Sequence, residues 1–370
     1  MHIIRLSSAL PESEFATEEL IDTFPCKLPE GVRQNILNLG VSRRSFIERG
    51  STGSKSEKVL NETGLVDLCV DACRSVISEI GISIKNVGYF VAAYDVNPIL
   101  SPGLSQLLVR KIGFDPYIKH VNIQGFASTA FPKALQLAEE HLATRPKDNV
   151  LICVSGVSSY WFQNQVRGMK DVTDISRINE FNDERKRQME LKKWIATMEY
   201  FLFGDGAAAA IVANKREGLA VKKTVEVTNV GEEDYLAGYA RLASLPEPFK
   251  FGFQSHLDKD IPRLGVKYSG VALKKLLGKD AENKIRISKK WAVHTGSQKI
   301  LDALAKHHGL QHEKLEESRE VLRTHGNLSG ASLPFILERI VSTRKLSKGD
   351  TVLMLGYGWG FSAAATLLEA

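Results

Sequence analysis

Short apolar runs alternate with segments of helical periodicity along most of this chain, and this alternation limits the possible folds more than any other feature. Residues 86–95 (NVGYFVAAYD) are rich in β-branched and aromatic side chains, which is typical of a strand. Residues 149–154 (NVLICV) form an apolar run of strand length. Between them, residues 128–142 carry apolar side chains at spacings of three and four, which predicts a helix. Such alternation predicts an α/β protein with buried sheets.

The second part of the chain continues this alternation. Apolar strands are predicted within residues 203–213, 291–293, 351–355 and 361–368, and helices at 262–277, 296–307 and 329–341. The pattern suggests two halves, residues 1–213 and 214–370, although no clean sequence repeat joins them.

Residues 167–200 depart from this pattern because they are highly charged, as in MKDVTDISRINEFNDERKRQMELKKW. Charged residues at this density predict a solvated helical insertion. A segment of this kind can also form a lid or a partner surface over the mouth of a pocket. The sequence leaves both interpretations open.

The composition argues against several classes of function. The net charge of +6 is scattered along 370 residues, without a Lys/Arg run interleaved with aromatics, so we predict no nucleic-acid binding. Cys69 and Cys73 share one face of a predicted helix, but no second Cys or His pair at metal spacing accompanies them, and we predict no metal site. We find no signal-peptide pattern and no apolar run of the ~18 residues that a membrane span needs. We therefore expect a cytoplasmic protein.

Ser128, in GFASTAF, is the first candidate for a reactive side chain. It stands at the start of a predicted helix, where free N–H groups and the positive end of the helix dipole favour an anion. Ser and Thr are also preferred N-cap residues, so Ser128 or the adjacent Thr129 can simply cap the helix. Local sequence alone does not decide between a nucleophile and a cap.

His294 and Asn327 are the other two candidates. His294, in VHTGSQKIL, ends a predicted strand just before a Gly-containing turn, and the alternative is a core or loop histidine. Asn327, in HGNLSGAS, can be a catalytic donor or the cap of the helix that follows it. The Gly-rich stretch GYGWG leads into a strand rather than a helix, so it fits neither the P-loop nor the dinucleotide fingerprint.

Taken in order, these segments resemble one family. A small-residue stretch before a helix is followed by FGDGAAA, HxGxxKIL, GNxSxAS and a final GxGxG turn. This series resembles the type III polyketide synthases, the chalcone synthase family, and more distantly ketoacyl-acyl-carrier-protein synthase III. The resemblance runs from about residue 30 to the end of the sequence. It implies a thiolase fold, with five αβαβα layers built from two similar halves, and a homodimer.

The resemblance also assigns catalytic roles. His294 matches the family's catalytic His, and Asn327 matches its catalytic Asn. Ser128 stands where the family carries its nucleophilic Cys when the following helix is aligned without a gap, whereas alignment on Gln124 and Gly125 alone places Phe126 there. The implied reaction loads an acyl group from coenzyme A and condenses it with malonyl-CoA with loss of carbon dioxide. The substrates are coenzyme A or carrier-protein thioesters, and no cofactor is needed.

Further residues are implied for substrate binding. Phe203 falls at the family's gatekeeping Phe, whereas Ser255 replaces a second gatekeeping Phe just before HLDKDIP, which resembles the family's HLxKDVP. Together with Trp359 these residues are expected to shape the acyl pocket. Arg43 and Arg44 lie where such enzymes present cations to the phosphates of coenzyme A, although adjacent arginines are otherwise usually solvated.

Serine in place of cysteine leaves three explanations open. The Ser is natural and the enzyme forms an oxygen ester, or it replaces a native Cys and arrests the reaction, or the chain is a non-catalytic partner subunit of a condensing complex. An alcohol needs an adjacent general base, whereas a thiol is partly ionised at neutral pH. His294 would supply that base if it lies in hydrogen-bond reach of Ser128.

Overall fold

The computed structural model describes residues 1–47, 64–95, 99, 101–230, 233–244, 251–258, 260–343 and 345–370, with the backbone alone at 242–244 and 251–254. Within these ranges the strands are β1 (His2–Ala9), β2 (Glu14–Ala16), β3 (Arg43–Ser45), β4 (Val87–Tyr94), β5 (Lys119–Gln124), β6 (Asn149–Gly156), β7 (Gly206–Ala213), β8 (Leu219–Thr228), β9 (Gly238–Ser244), β10 (Phe251–Leu257), β11 (Lys290–Val293), β12 (Thr351–Gly358) and β13 (Ser362–Glu369).

The α-helices of the same residues are α1 (Thr17–Asp22), α2 (Glu30–Leu37), α3 (Leu65–Ile80), α4 (Leu104–Ile112), α5 (Ala130–Thr144), α6 (Ser159–Val166), α7 (Ile175–Ile178), α8 (Glu184–Leu202), α9 (Ile261–Leu277), α10 (Ala281–Ile287), α11 (Gln298–His308), α12 (Glu316–His325) and α13 (Ser332–Ser342). Short 3₁₀ helices are Ile84–Asn86, Ala127–Thr129, Asp234–Ala237, Gly278–Asp280, His312–Lys314 and Ser329–Ala331. The helix predicted at residues 128–142 is thus one 3₁₀ turn followed by α5.

The main sheet has nine strands in the order β11-β12-β13-β8-β1-β7-β6-β4-β5. Its two ends repeat one pattern of pairing. In the first, β1 is antiparallel to β7, β7 antiparallel to β6, and β6 parallel to β4. In the second, β8 is antiparallel to β13, β13 antiparallel to β12, and β12 parallel to β11. The two sets meet where β1 pairs with the start of β8.

Helices cover both sets of strands on both faces. One core cluster packs α5 and α13 between the two sets, with Ile152 from the first and Met354 from the second. A second cluster packs α3 and α4 on the outer face of the first set, and a third packs α9 and α11 on the outer face of the second. The layers therefore run helix, sheet, helix, sheet, helix, and the predicted five-layered fold is confirmed.

The predicted division between residues 213 and 214 falls in the connection between β7 and β8. We keep the assignment of residues 1–213 and 214–370 to separate halves as a proposal. A short 3₁₀ turn leads into each of the two central helices, Ala127–Thr129 into α5 and Ser329–Ala331 into α13.

The charged segment at residues 167–200 contains α7 and most of α8. Most of its first part is exposed or half-buried, as expected for a solvated insertion, but Met169, Val172 and Ile178 are buried, as are residues 195–199 and Phe201. Met169, Val172, Met198 and Phe201 pack with α1 and α2 in a separate apolar cluster. The insertion is therefore anchored to the protein at both of its ends.

Candidate active site

Ser128 lies in the 3₁₀ turn between β5 and α5. Its side chain is fully buried, and its hydroxyl donates a hydrogen bond to the main-chain oxygen of Tyr357. The preceding Ala127 has a φ of +42°, a left-handed conformation that is strained for a residue with a side chain. No side-chain hydrogen bond caps α5, since the hydroxyl of Thr129 donates to the oxygen of Phe126. Ser128 is therefore not a helix cap.

The Gly-rich turn 356–360 allows β12 to approach Ser128 closely. A Cβ on Gly356 would lie 2.3 Å from the main-chain oxygen of Ser128, and a Cβ on Gly358 would lie 3.4 Å from its Oγ. Glycine is required at the first position because any side chain would overlap the turn. The GYGWG motif, which fitted no phosphate loop, thus allows close contact between β12 and Ser128.

His294 follows directly after β11 and lies beside the same turn. Its ring makes an edge contact with the ring of Tyr357 at 5.5 Å between centroids, and the Tyr357 hydroxyl donates to the His294 main-chain oxygen at 3.0 Å. The side chain is 6% exposed, and burial lowers its pKa to about 3. The ring is therefore neutral at physiological pH, and its Nδ1 has no partner among the residues that the structure describes.

Asn327 lies in the loop between α12 and the 3₁₀ turn Ser329–Ala331. Its main-chain N–H donates to Leu202 O at 2.9 Å, and its oxygen accepts from Gly204 N at 3.2 Å, so it pairs with Phe203. The side-chain Oδ1 accepts from the N–H of Ser329 at 2.8 Å. This bond caps the turn and leaves the amide N–H₂ as the free functional group of the side chain.

Two polar side chains tie the three candidate residues together. Thr295, next to His294, shares a hydrogen bond with the hydroxyl of Ser332 at 2.8 Å and donates to Gly326 O at 3.3 Å, beside Asn327. Asp95, at the end of β4, accepts from the N–H of Ala127 at 2.9 Å and from the hydroxyl of Ser329. Tyr357 therefore connects Ser128 with His294. Asp95 connects the turn of Ser128 with the turn that follows Asn327.

Comparisons with known proteins identify similar folds and sequences. Residues 288–370 match the family described as 3-oxoacyl-[acyl-carrier-protein (ACP)] synthase III C terminal. The 1,3,6,8-tetrahydroxynaphthalene synthase of Streptomyces coelicolor, a bacterial type III polyketide synthase, superposes with a TM-score of 0.78 at 21% identity over 100% of this chain and 99% of its own. The chain therefore has the fold of this synthase, and its last part resembles the condensing enzymes.

Relatives of two kinds resemble this chain in sequence. A 3,5-dihydroxyphenylacetyl-CoA synthase of Amycolatopsis orientalis is 22% identical over 98% of this chain and 92% of its own. A β-ketoacyl-[acyl-carrier-protein] synthase III of Clostridium perfringens is 23% identical over 87% of this chain and 89% of its own. Their names point to coenzyme A thioesters in one case and carrier-protein thioesters in the other.

The three residues predicted to shape an acyl pocket lie on connected elements. The ring of Phe203 packs on that of Phe162 at 4.8 Å between centroids. Trp359 lies against the start of β9, where a Cβ on Gly238 would be 3.0 Å from its ring. The Ser255 hydroxyl, on the neighbouring strand β10, donates to Glu199 Oε2 at 2.6 Å. The β9–β10 hairpin thus extends from the Gly-rich turn to α8.

Arg43 and Arg44 occupy different environments. The side chain of Arg43 is 49% exposed and pairs with Glu14 at 3.3 Å. Arg44 is fully buried, donates from Nη2 to Thr17 Oγ1 at 2.7 Å, and has a pKa lowered to about 10 by burial. A contact with coenzyme A phosphates stays a prediction for Arg43. It does not fit Arg44, because a guanidinium without exposed surface has no access to a phosphate.

An open cavity of about 910 Å³ lies next to the two arginines, since it is lined by Ser42 and by Thr17, the hydrogen-bond partner of Arg44. Its lining comes from α1, α2, α12 and α13 and includes Thr17, Arg323 and Arg339, but none of the predicted site residues. Among the described residues, no group of His, Cys, Asp or Glu side chains is placed to hold a metal ion, and no helix is long and apolar enough to cross a bilayer.

Sequence reasoning missed Tyr357, Asp95 and Glu199. Tyr357 was visible only as part of GYGWG, and Asp95 only as the residue that ends a strand pattern. Glu199 belongs to the charged segment, whose composition predicts solvent exposure. For Asp95, a polar residue directly after a buried strand was the one available signal, since such positions often face a functional site.

A Gly156→Ala variant tests how tightly the Asn327 loop is held. The added Cβ would lie 1.8 Å from Leu328 O, so we expect a loss of about 3 kcal/mol or more in the free energy of unfolding. Gly270→Ala in α9 is the matched control, because no atom lies within 4 Å of its Cβ position and alanine favours the helix by about 0.5–1 kcal/mol. Urea denaturation of both variants measures the difference. Equal stability of the two would contradict the close approach.

Proposed function

We propose that this protein is an acyltransferase that loads an acyl group and condenses it with a malonyl thioester with loss of carbon dioxide. The proposal is supported by the contacts of Tyr357 with Ser128 and His294, and by Asp95, which links the turn of Ser128 to the turn after Asn327. Ser128 comes from the first half of the fold, and the other two residues come from the second half. We further propose coenzyme A or carrier-protein thioesters as substrates, no cofactor, a homodimer and a cytoplasmic location.

His294 and Asn327 suit the decarboxylation step. A neutral imidazole and a primary amide each present an N–H donor, and two donors aimed at a thioester oxygen stabilise the negative charge that forms there. When the malonyl C–C bond breaks, carbon dioxide leaves and its bonding electrons form the enolate of the acetyl thioester. The enolate oxygen then receives the two hydrogen bonds.

Ser128 suits the acyl-carrying step. Its oxygen would attack the acyl thioester, its proton would pass to the departing thiolate, and an oxygen ester would form. The enolate carbon then attacks this ester, a C–C bond forms, and the serine oxygen leaves and regains a proton. The product is a β-ketoacyl thioester.

The described hydrogen bond of Ser128 does not activate it. The hydroxyl donates to the Tyr357 carbonyl, which has no basicity to remove a proton, and no hydrogen bond to His294 is formed among the described residues. The side chain must rotate before His294 can act as a base. We therefore expect slow acylation of Ser128 and much faster acylation of a cysteine in the same place, since the helix N-terminus favours its thiolate.

Incubation with acetyl-CoA, followed by intact-mass and peptide analysis, tests this expectation. We expect an acetyl adduct on the peptide that contains Ser128, no adduct in Ser128→Ala, and at least tenfold faster formation in Ser128→Cys. Thr129→Ala is the control, because it removes a neighbouring hydroxyl that bonds only its own turn. Absence of an adduct in both the wild type and Ser128→Cys, with coenzyme A and carrier-protein donors, would contradict the proposed function.

The same experiment separates the explanations for the serine. An adduct in the wild type that is consumed on addition of malonyl-CoA supports a natural Ser-dependent acyltransferase. An adduct that persists, with turnover restored only in Ser128→Cys, supports a serine that replaces a native cysteine. No adduct in either form supports a non-catalytic partner subunit.

A further inference from the structure

Glu199 is a buried carboxyl group that the proposed mechanism does not use. It lies in the last turn of α8 and is 1% exposed. Ser255 donates to its Oε2 at 2.6 Å, whereas its Oε1 has no hydrogen-bond partner among the residues that the structure describes. Nor does any Lys or Arg within those residues form an ion pair with it. A buried carboxyl group of this kind is costly unless another polar group meets it.

The position of Glu199 connects it to the candidate site. Its main-chain oxygen accepts from the N–H of Phe203 at 3.0 Å, one helical turn later, and Phe203 pairs with Asn327. Its partner Ser255 lies on the β9–β10 hairpin, whose first residue Gly238 accepts from the N–H of Gly360 at 2.8 Å. The hydrogen bond between Ser255 and Glu199 therefore joins two elements. One is α8, which ends next to Phe203, and the other is the β9–β10 pair, which begins next to Trp359.

The carboxyl group is mostly protonated at neutral pH. Burial raises the pKa of Glu199 to about 8, against the opposing effect of the hydrogen bond from Ser255. Neither of these effects on the pKa comes from the charge of a neighbouring residue. Titratable groups on the elements packed against α8 include Arg44 of β3, whose guanidinium lies 6.0 Å from the ring centroid of Phe201. The others are Tyr160 of α6, Arg177 of α7, His256 of β10, Glu30 and Arg33 of α2, and Glu18, Glu19 and Asp22 of α1.

A protonated carboxyl group has one O–H donor. Because the Ser255 hydroxyl already supplies the hydrogen to Oε2, the O–H of Glu199 is placed on Oε1, where the described residues offer no acceptor. A carboxyl group kept neutral by an apolar site can donate a strong hydrogen bond to a substrate oxygen. The missing acceptor is thus expected on the substrate.

We propose that Glu199 and Ser255 form a polar subsite in the acyl pocket, and that Glu199 donates a hydrogen bond to a carbonyl oxygen of the acyl chain other than the thioester carbonyl. This inference rests on the proposed function and deepens it by naming the substrate class. The oxygen can belong to the starter acyl group or to the β-keto chain after the first extension, since both present the same acceptor. An alkyl chain in the same place would leave the O–H without a partner.

Acetoacetyl-CoA and butyryl-CoA are the probes, because they share a four-carbon chain and differ in one keto oxygen. We expect the wild type, or Ser128→Cys if loading is slow, to load acetoacetyl-CoA with at least tenfold higher kcat/KM than butyryl-CoA. Glu199→Met should abolish this preference. Glu199→Gln should retain most of it, because the amide keeps an N–H donor. Glu184→Gln, at the exposed start of the same helix, is the matched control and should change nothing.

The pH profile provides a readout that a purely structural role would not move. As pH rises above about 8, Glu199 loses the proton that it donates, so the keto preference of the wild type should fall between pH 7 and 9. The preference of Glu199→Gln should stay constant over this range. This comparison remains decisive even if Glu199→Met does not fold.

A second arm distinguishes the two sources of the oxygen. With acetyl-CoA and malonyl-CoA, Glu199→Met should release products after one extension if the subsite holds the growing chain, and products of unchanged length if it holds only the starter. A keto preference in neither arm, with active enzyme, would overturn the inference and leave the proposed function intact. Failure of the wild type and Ser128→Cys to load either thioester would instead refute the proposed function.

Discussion

Substitution of His294 by alanine is expected to lower the rate of malonyl-CoA decarboxylation by about 10²–10³-fold, and Asn327→Ala should have a similar effect. Each residue supplies one N–H donor to the enolate oxygen, and the donors act in a buried place where water cannot replace them. Because the pKa of His294 is lowered to about 3, the ring remains neutral down to strongly acidic pH. The rate should therefore show no acid limb from His294 between pH 5 and 8.

Release of labelled carbon dioxide from malonyl-CoA measures this rate independently of Ser128. His308→Ala is the matched control, since His308 also has a pKa lowered to about 4 by burial but lies on α11 against Trp291. It should destabilise the protein without changing decarboxylation. If His294→Ala and Asn327→Ala each kept more than a third of the wild-type decarboxylation rate, the proposal that these residues are the hydrogen-bond donors would be wrong.

Asp95→Ala is expected to reduce condensation by at least 10²-fold, although Asp95 touches none of the reacting atoms. Its carboxylate holds the N–H of Ala127, next to Ser128, and the hydroxyl of Ser329, two residues after Asn327. A further hydrogen bond comes from the N–H of Gly330. Loss of the carboxylate leaves these donors unpaired, which costs about 1–3 kcal/mol for each buried group. The turns that carry Ser128 and Asn327 would then lose their fixed relative position.

Several measurements separate positioning from general destabilisation. Asp95→Ala should lower kcat far more than it raises KM, and Asp95→Asn should recover part of the rate because its amide oxygen still accepts. Ser329→Ala removes one donor and should have a smaller effect. Asp71→Ala, exposed on α3, serves as the control. A folded Asp95→Ala with unchanged kcat would contradict the positioning role.

Local sequence patterns were sufficient to predict an α/β protein with buried sheets, whereas the five-layered arrangement followed from the resemblance to a known family. The apolar run in β6 and the helical spacing after Ser128 identify buried strands and a central helix without knowledge of their partners. His294 and Asn327 were identifiable because each stands at the end of a predicted element within a family motif. Each of these features depends only on residues that are close together in the chain, so it can be identified from a single sequence.

The roles of Asp95, Tyr357 and Glu199 depend on partners that are distant in the chain. Asp95 meets Ser329 across 234 positions, and Ser128 meets Tyr357 across 229. Glu199 was hidden because the charged first turns of α8 dominate the composition of residues 167–200, whereas its last turns are buried. Burial of a single glutamate in a charged helix is a tertiary effect that no local pattern records. The same reason explains why two adjacent arginines, Arg43 and Arg44, differ in exposure.

The central place of β1 in the nine-stranded sheet has a consequence for how the protein folds. β1 is synthesised first, yet its neighbours β7 and β8 follow about two hundred residues later, with Ser7 opposite Ala209 and His2 opposite Ala220. Closing loops of this length is slow, because the entropy of the intervening chain must be lost before the contacts form. During synthesis β1 therefore stays without these two partner strands, and its pairing with β8 requires residues 219 and 220 to have emerged from the ribosome.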